Sequence, residues 1–349
     1  MAMLSIGGKN IGEGNPAFII AELSANHGHD IQIAKKTIKA AKEAGADAIK
    51  LQTYTADTIT IDCDNEYFQI DNGTIWDGRT LHNLYEEAHT PWEWQGELME
   101  YAQKQGLTCF SSPFDPTAVD FLEELNVPAY KIASFEITDI PLIEYVASKG
   151  KPVIISTGIA TIGEIEEAVE ACKRVGNEQV ALLKCTSAYP ANIEDANLAT
   201  IPNLKETFQV EVGLSDHTRG TVVPAVSVAM GARIIEKHFI LDKSIGGPDA
   251  NFSLNKEEFK AMVEAVRNAE KAIGTIDYKQ TEKKKNSRKF ARSLFIVKDV
   301  KAGESFTRDN VRSIRPGNGM APKYLEEVLE KKASMDIDKG TPLDWKYVH

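Results

Sequence analysis

The sequence has few cysteines, no surplus of positive charge and no long apolar run. Its four cysteines, Cys63, Cys109, Cys172 and Cys185, include no CxxC pair, which leaves out zinc-ribbon and thioredoxin-like motifs. Cys109 and Cys185 fall in apolar runs, and the expectation is buried, reduced thiols in a cytoplasmic protein. The net charge of -11 argues against a nucleic-acid or anionic-membrane binder, whose footprint would be basic. It still permits an anionic small molecule held by a few buried lysines. No apolar stretch nears the ~20 residues of a membrane span, and the opening MAMLSIGGKN lacks a secretory h-region. No GxGxxG follows the first apolar run, so the fingerprint of a dinucleotide-binding sheet is missing.

What is present is a rhythm. Short apolar runs occupy 17–23, 48–54, 108–113, 129–134, 152–158, 180–186, 210–216 and 233–239. Each turns polar at its C-terminal end, as buried parallel strands do. Amphipathic segments such as 31–45, 162–176 and 256–274 lie between them at helical spacing. Eight such units predict an α/β fold, a (β/α)8 TIM barrel, over 1–274. Residues 55–91 are too long for an ordinary strand-to-helix connection, and a loop of that length on the active face is expected to be functional. Residues 275–289 are polar and basic, and read as a solvated linker. From 290 to 349, short strands and Gly/Pro punctuation predict a small domain rich in β-structure, with too little core to dispense with a partner.

In a TIM barrel the C-terminal strand ends build the active site. Here they carry Glu22, Lys50, Gln52, Ser112, Lys131, Ser134, Glu136, Ser156, Lys184, Ser187, His217 and His238. An ammonium within an apolar strand needs a partner. Lys50 and Lys131, with the serines, make a phosphate or carboxylate pocket; the competing reading is two core ion pairs with Glu22 and Glu136. His217 and His238 end consecutive strands, so their imidazoles can converge on Mn2+, Mg2+ or Zn2+, or serve as an acid/base pair or as hydrogen-bonded core residues. Asp216 and Glu236 are assigned to the opposite strand face and are not counted as ligands. His27 is a loop candidate without a role; His29, His82, His89 and His349 have no comparable context.

The stretches FIIAELSANH, IKLQTY, YKIASFE, STG, CTSAYP, GLSDHT and IEKHF, in this order, resemble the sialic acid (nonulosonic acid) synthase family. RSLFIVKDVKAGESFTRDNVRSIRPGNG is similar to that family's antifreeze-like (SAF) domain. WDGRTLHNLYEEAHTPWEW and GGPDANFSL are similar to segments of its pseudaminic acid synthase branch. N-acetylneuraminate synthases commonly read GPDH where this chain has Asp249 followed by Ala250, which points away from them; legionaminic acid synthase is a further alternative. The resemblance implies a transferase that condenses phosphoenolpyruvate with an open-chain acetamido sugar and releases phosphate by C–O cleavage. For the pseudaminate branch the sugar is 2,4-diacetamido-2,4,6-trideoxy-β-L-altropyranose.

The resemblance further implies that Lys50, Ser112, Lys131, Ser134, Ser156, Ser187 and Ser215 hold phosphoenolpyruvate. Glu22, Gln52, Tyr189 and Asp249 would face the sugar, and Glu136 would orient or deprotonate a water. His217 and His238 would hold a divalent metal (Mn2+, Mg2+ or Co2+). Arg315, in IRPGNG, would reach the sugar from the other subunit of a domain-swapped homodimer. Two different readings compete with this one. Lys184 could be a Schiff-base nucleophile of a metal-free aldolase, or the barrel could be the scaffold of a sugar- or ice-binding protein.

Overall fold

The computed structural model describes residues 4–71, 73 and 76–349. It divides into two units, Met1–Gly274 and Thr275–His349. The first begins with an antiparallel hairpin, β1 (Leu4–Ile6) and β2 (Lys9–Ile11). Eight strands follow: β3 (Phe18–Glu22), β4 (Ala48–Thr53), β5 (Thr108–Pro113), β6 (Tyr130–Ile132), β7 (Val153–Ser156), β8 (Val180–Cys185), β9 (Glu211–Asp216) and β10 (Ile234–His238). They form a closed parallel barrel in sequence order, with β10 pairing back onto β3. Every apolar run expected to be a strand is one.

The near-continuous apolarity of these runs has a simple cause, since both faces of each strand are covered. Side chains alternate across the strand. On β3, Ile19 and Ala21 point outward into the core shared with the helices, whereas Phe18 and Ile20 point into the barrel. The same parity sends Ile49 and Leu51 outward and Ala48 inward on β4, and Val212 and Leu214 outward on β9. Leu4, Ile6 and Ile11 of the hairpin join the inner cluster of Phe18, Ile20, Ala48 and Phe110. The N-terminal half of the barrel is therefore packed apolar solid. Above that layer the inward positions turn polar: Glu22 after Ile20, Lys50 after Ala48, Ser112 after Phe110, Ser156 after Ile154, Glu236 after Ile234.

Local signals start the helices where the sequence places them. Asp30 accepts from the Gln32 backbone N–H at the head of Ile31–Glu43. Thr161 with Glu164, and Asn255 with Glu258, close capping boxes on Ile162–Arg174 and Lys256–Ile273. The long segment after β4 carries helices Ala56–Ile59 and Leu81–Ala88 and an isolated bridge between Gln69 and Thr80. Tyr85 from this segment packs edge-on against Tyr54, 5.6 Å between centroids.

The second unit pairs β11 (Ser293–Ile296) with β12 (Val311–Ile314) around a core of its own that includes Leu294, Phe306, Val311 and Leu343. The segment expected as a linker belongs to this unit and contains an exposed helix, Glu282–Arg288. Among the described residues, no helix is long and apolar enough to cross a membrane.

Candidate active site

The polar upper layer of the barrel is a single connected cluster. Parallel register sets Glu22 beside both Lys50 and His238, and the closed barrel lets inward side chains from non-adjacent strands meet. Lys50 Nζ lies 2.7 Å from Glu22 Oε2 and 3.5 Å from Glu236 Oε1, and donates to Ser112 Oγ at 3.1 Å. Ser215 Oγ donates to Glu236 Oε1 at 3.4 Å. All five side chains are buried.

Lys50 thus has the carboxylate partner that the ion-pair alternative gave it. Its pKa rises, because burial, which lowers it, is outweighed by the two glutamates. Burial pushes the Glu22 carboxyl up to about 7 against the pull of Lys50.

Lys131 differs. It is buried, its Nζ donates to the Ile132 carbonyl at 2.8 Å, and it has no salt bridge with a described residue within 4.0 Å. Burial pulls its pKa down. The Lys131–Glu136 ion pair of the competing reading is not formed. Glu136 Oε2 is buried without a hydrogen-bond partner, and burial raises this carboxyl to about 7. Ser156 Oγ is likewise buried and unpartnered. A buried ammonium without an ion-pair partner and a buried hydroxyl without a hydrogen-bond partner are groups that could bind an anion.

His217 and His238 converge, with ring centroids 5.4 Å apart. His217 Nδ1 lies 2.9 Å from the Thr186 carbonyl oxygen. That contact places a proton on Nδ1, so the neutral ring would present its Nε2 lone pair; burial, which lowers the pKa of His217, is outweighed by Cys185 and the Thr186 carbonyl, which raise it. His238 Nδ1 is buried without a hydrogen-bond partner, 3.8 Å from Asp249 Oδ2. Burial, then the nearby His217, holds His238 well below the usual imidazole range, so it is neutral. Tyr189 lies against His217 at 4.3 Å and Phe252 against His238 at 4.9 Å.

Among the described residues, no three His, Cys, Asp or Glu side chains are grouped to hold a metal. The two imidazoles nonetheless fit a divalent ion that takes its remaining ligands from water and substrate oxygens.

Ser134 and Ser187 approach each other around Gly158. The Gly158 N–H donates to Ser134 Oγ at 3.2 Å, and a side chain at Gly158 would collide with both hydroxyls and with Cys185 Sγ. Gln52 occupies the inward position above Lys50 and is half-buried. Arg315 is exposed in the second unit, where it borders an open cleft of about 860 Å³ with Lys284 and Arg288.

Residues 37–278 match the NeuB family, and residues 291–348 match the SAF domain. The chain belongs to the NeuB family. Pseudaminic acid synthase of Campylobacter jejuni (serotype O:23/36, strain 81-176) is 52% identical over 334 residues, covering 96% of this chain and 97% of that protein. Pseudaminic acid synthase of Helicobacter pylori is 48% identical, covering 94% and 96%. In a crystal structure with citrate, the N-acetylneuraminic acid synthetase of Leptospira borgpetersenii superposes with a TM-score of 0.73 at 34% identity, over 82% of this chain and 94% of that one.

Two assignments, Glu236 and Lys184, change in this NeuB-family barrel, and that of Asp216 holds. Glu236 does not face outward. It sits two positions before His238, shares its inward face, and joins Lys50 and Ser215. Asp216 does face outward, where it pairs with buried Lys237 at 2.5 Å. Lys184 has outward parity with Leu182 and donates to Cys185 O at 2.7 Å and Thr186 Oγ1 at 3.1 Å. It does not join the inward cluster, which removes the position a Schiff-base nucleophile would need.

Cys185 was read only as a buried thiol, yet it takes the inward position on β8, 3.9 Å from His217 Nδ1. Burial, which raises its pKa, is outweighed by the His217 contact, and the thiol falls to about 7. Its parity with Ala181 and Leu183 was the available signal. His27, His29 and His89 pack edge-on in a chain of their own.

Proposed function

We propose that this chain condenses phosphoenolpyruvate with 2,4-diacetamido-2,4,6-trideoxy-β-L-altropyranose, giving pseudaminic acid and phosphate. What carries the reading is full-length identity of about half with two pseudaminic acid synthases, over a barrel mouth that holds an unpaired buried lysine beside a histidine pair. N-acetylneuraminate and legionaminate synthesis are the alternatives; Ala250 after Asp249 disfavours the first.

The residues divide the work by their chemistry. Lys131, Ser134, Ser156 and Ser187 take the phosphate and carboxylate of phosphoenolpyruvate, with Lys50, Ser112 and Ser215 closing the other side. Lys131 supplies the charge that no protein carboxylate cancels. Tyr189, Gln52, Glu22 and Asp249 face the sugar. His217 and His238 would hold the divalent ion, Mn2+, Mg2+ or Co2+. When bound, such an ion polarises the aldehyde oxygen of the sugar.

As C3 of phosphoenolpyruvate bonds to the aldehyde carbon, C2 becomes electron-poor. Water adds at C2, Glu136, poised near neutrality by burial, takes its proton, and the former aldehyde oxygen is protonated to a hydroxyl. The C2–O bond to phosphate then breaks as the new C2 hydroxyl becomes the ketone, and phosphate leaves with the bridging oxygen and that hydroxyl's proton. Arg315 reaches the sugar from the second unit of a partner chain in a domain-swapped homodimer, which also compensates for the small core of that unit.

The deciding experiment offers phosphoenolpyruvate with each candidate sugar and identifies the nonulosonic acid by mass and NMR. Pseudaminic acid with stoichiometric phosphate is expected. Faster turnover of N-acetylmannosamine or of the legionaminate precursor overturns the choice of sugar; binding without phosphate release overturns the enzyme.

A further inference from the structure

Besides Tyr85 on Tyr54, the long connection after β4 reaches the barrel mouth through Trp76. Trp76 donates its indole N–H to the Pro248 carbonyl at 3.2 Å, a contact between positions 172 apart in the chain. Pro248 immediately precedes Asp249, which lies 3.8 Å from His238. The Trp76 ring sits 5.7 Å from Tyr189, and Tyr189 sits 4.3 Å from His217 and 5.1 Å from Phe252. Trp76, Tyr189 and Phe252 thus form an aromatic wall beside the histidine pair, in which Tyr189 touches both Trp76 and His217.

The chemistry of that position is restrictive. An indole has one polar hydrogen, and Pro248 already accepts it. What Trp76 offers a ligand is therefore carbon surface. A sugar lying with its aldehyde at the histidines extends its far end outward along this wall. A methyl group at that end suits an indole face. A hydroxymethyl group would lose water there and find no donor or acceptor on the ring.

We infer that Trp76 is a specificity-determining residue: its indole face packs on the deoxygenated end of the sugar and selects a 6-deoxy substrate over its 6-hydroxy counterpart. This deepens the pseudaminate reading and rests on it. An apolar wall rejects an added hydroxyl only modestly, by up to about a hundredfold, so the expected preference is on the order of ten- to a hundredfold in kcat/KM. Trp76 acts on sugar choice and leaves phosphoenolpyruvate binding, which uses the lysines and serines, unchanged.

The test measures kcat/KM of the full-length enzyme for the 2,4-diacetamido-2,4,6-trideoxy sugar and for its 6-hydroxy counterpart, with KM for phosphoenolpyruvate measured in parallel. Trp76→Ala should lose most of the preference, chiefly through a raised KM for the deoxy sugar, with KM for phosphoenolpyruvate within about twofold of wild type. Trp76→Phe keeps an aromatic face but cannot donate to Pro248, and should keep most of the preference. Equal losses for both sugars in Trp76→Ala, or a preference lost as fully in Trp76→Phe, would make Trp76 an anchor of the loop and overturn the inference. A wild-type enzyme that prefers the 6-hydroxy sugar overturns the pseudaminate reading along with it. A wild-type preference for the deoxy sugar that survives in Trp76→Ala overturns the inference alone.

Discussion

Replacing Glu136 by glutamine should stabilise the folded chain and disable it. The carboxyl is largely withdrawn from water, Oε2 has no hydrogen-bond partner, and its pKa rises from the usual value of 4.5 to about 7. Burial is the main cause, opposed by Lys131 and Lys50. The sign follows from linkage. In the unfolded chain the group loses its proton near 4.5, whereas the folded chain holds it to about 7. Between those values the unfolded state binds fewer protons, so stability falls as pH rises, and the penalty is complete above pH 7. A shift of that size corresponds to about 3 kcal/mol.

Glu136→Gln removes the ionisation while keeping the shape. Its stability relative to wild type should therefore be unchanged near pH 4.5 and improve by about 2–3 kcal/mol at pH 8, several degrees in melting temperature for a domain of this size. The assay is thermal unfolding of both proteins at a series of pH values, with phosphate release followed in parallel. In wild type, kcat/KM should rise with pH through about 7, as the base loses its proton; in the variant it should fall by two or more orders of magnitude. A variant equally stable relative to wild type at both ends of the pH range, with the rising limb of the activity profile retained, would refute the argument that Glu136 is a desolvated base.

Four other outcomes are expected. Lys131→Met removes an inward cation without a carboxylate partner among the described residues; losing charge-assisted hydrogen bonds worth about 1.5–3 kcal/mol should raise KM for phosphoenolpyruvate roughly ten- to a hundredfold, and an unchanged KM would count against the anion pocket. Exhaustive chelation should abolish activity and Mn2+, Mg2+ or Co2+ should restore it, whereas His217→Ala should not be restored; full activity after chelation rules out the metal. Asp216→Asn leaves Lys237 buried without its counter-charge and should cost about 3–5 kcal/mol in stability, measured by urea unfolding, and a loss under 1 kcal/mol would mean the pair is not a core constraint. Arg315→Ala mixed with His217→Ala should regain activity toward half per heterodimer if the arginine acts across a dimer; no recovery in proven heterodimers places it in its own subunit or out of the site.

The sequence by itself determined the strands, their order and most of the inward set. Burial on both faces demands continuous apolarity, and the break to polar residues at each run's end is visible in one dimension. Period-two alternation was enough to set Lys50 with Gln52, and Ser215 with His217, on common faces. It was also enough to set Glu236 with His238, so that misassignment was a miscount of positions and not a limit of the sequence.

Partnership was decided only by closure of the barrel. Whether a buried lysine is neutralised by protein or waits for an anion depends on distances across the lumen. Lys50 and Lys131 look alike in sequence, yet Glu22 lies 2.7 Å from one while the other meets only a backbone carbonyl. Parity placed Cys185 on the inward face of β8, but its contact with His217 was decided by closure of the barrel. The hairpin that plugs the barrel floor and the contact from Trp76 to Pro248 join positions that no local period relates. Such contacts are set by where the chain returns in three dimensions, after the helices and strands have packed.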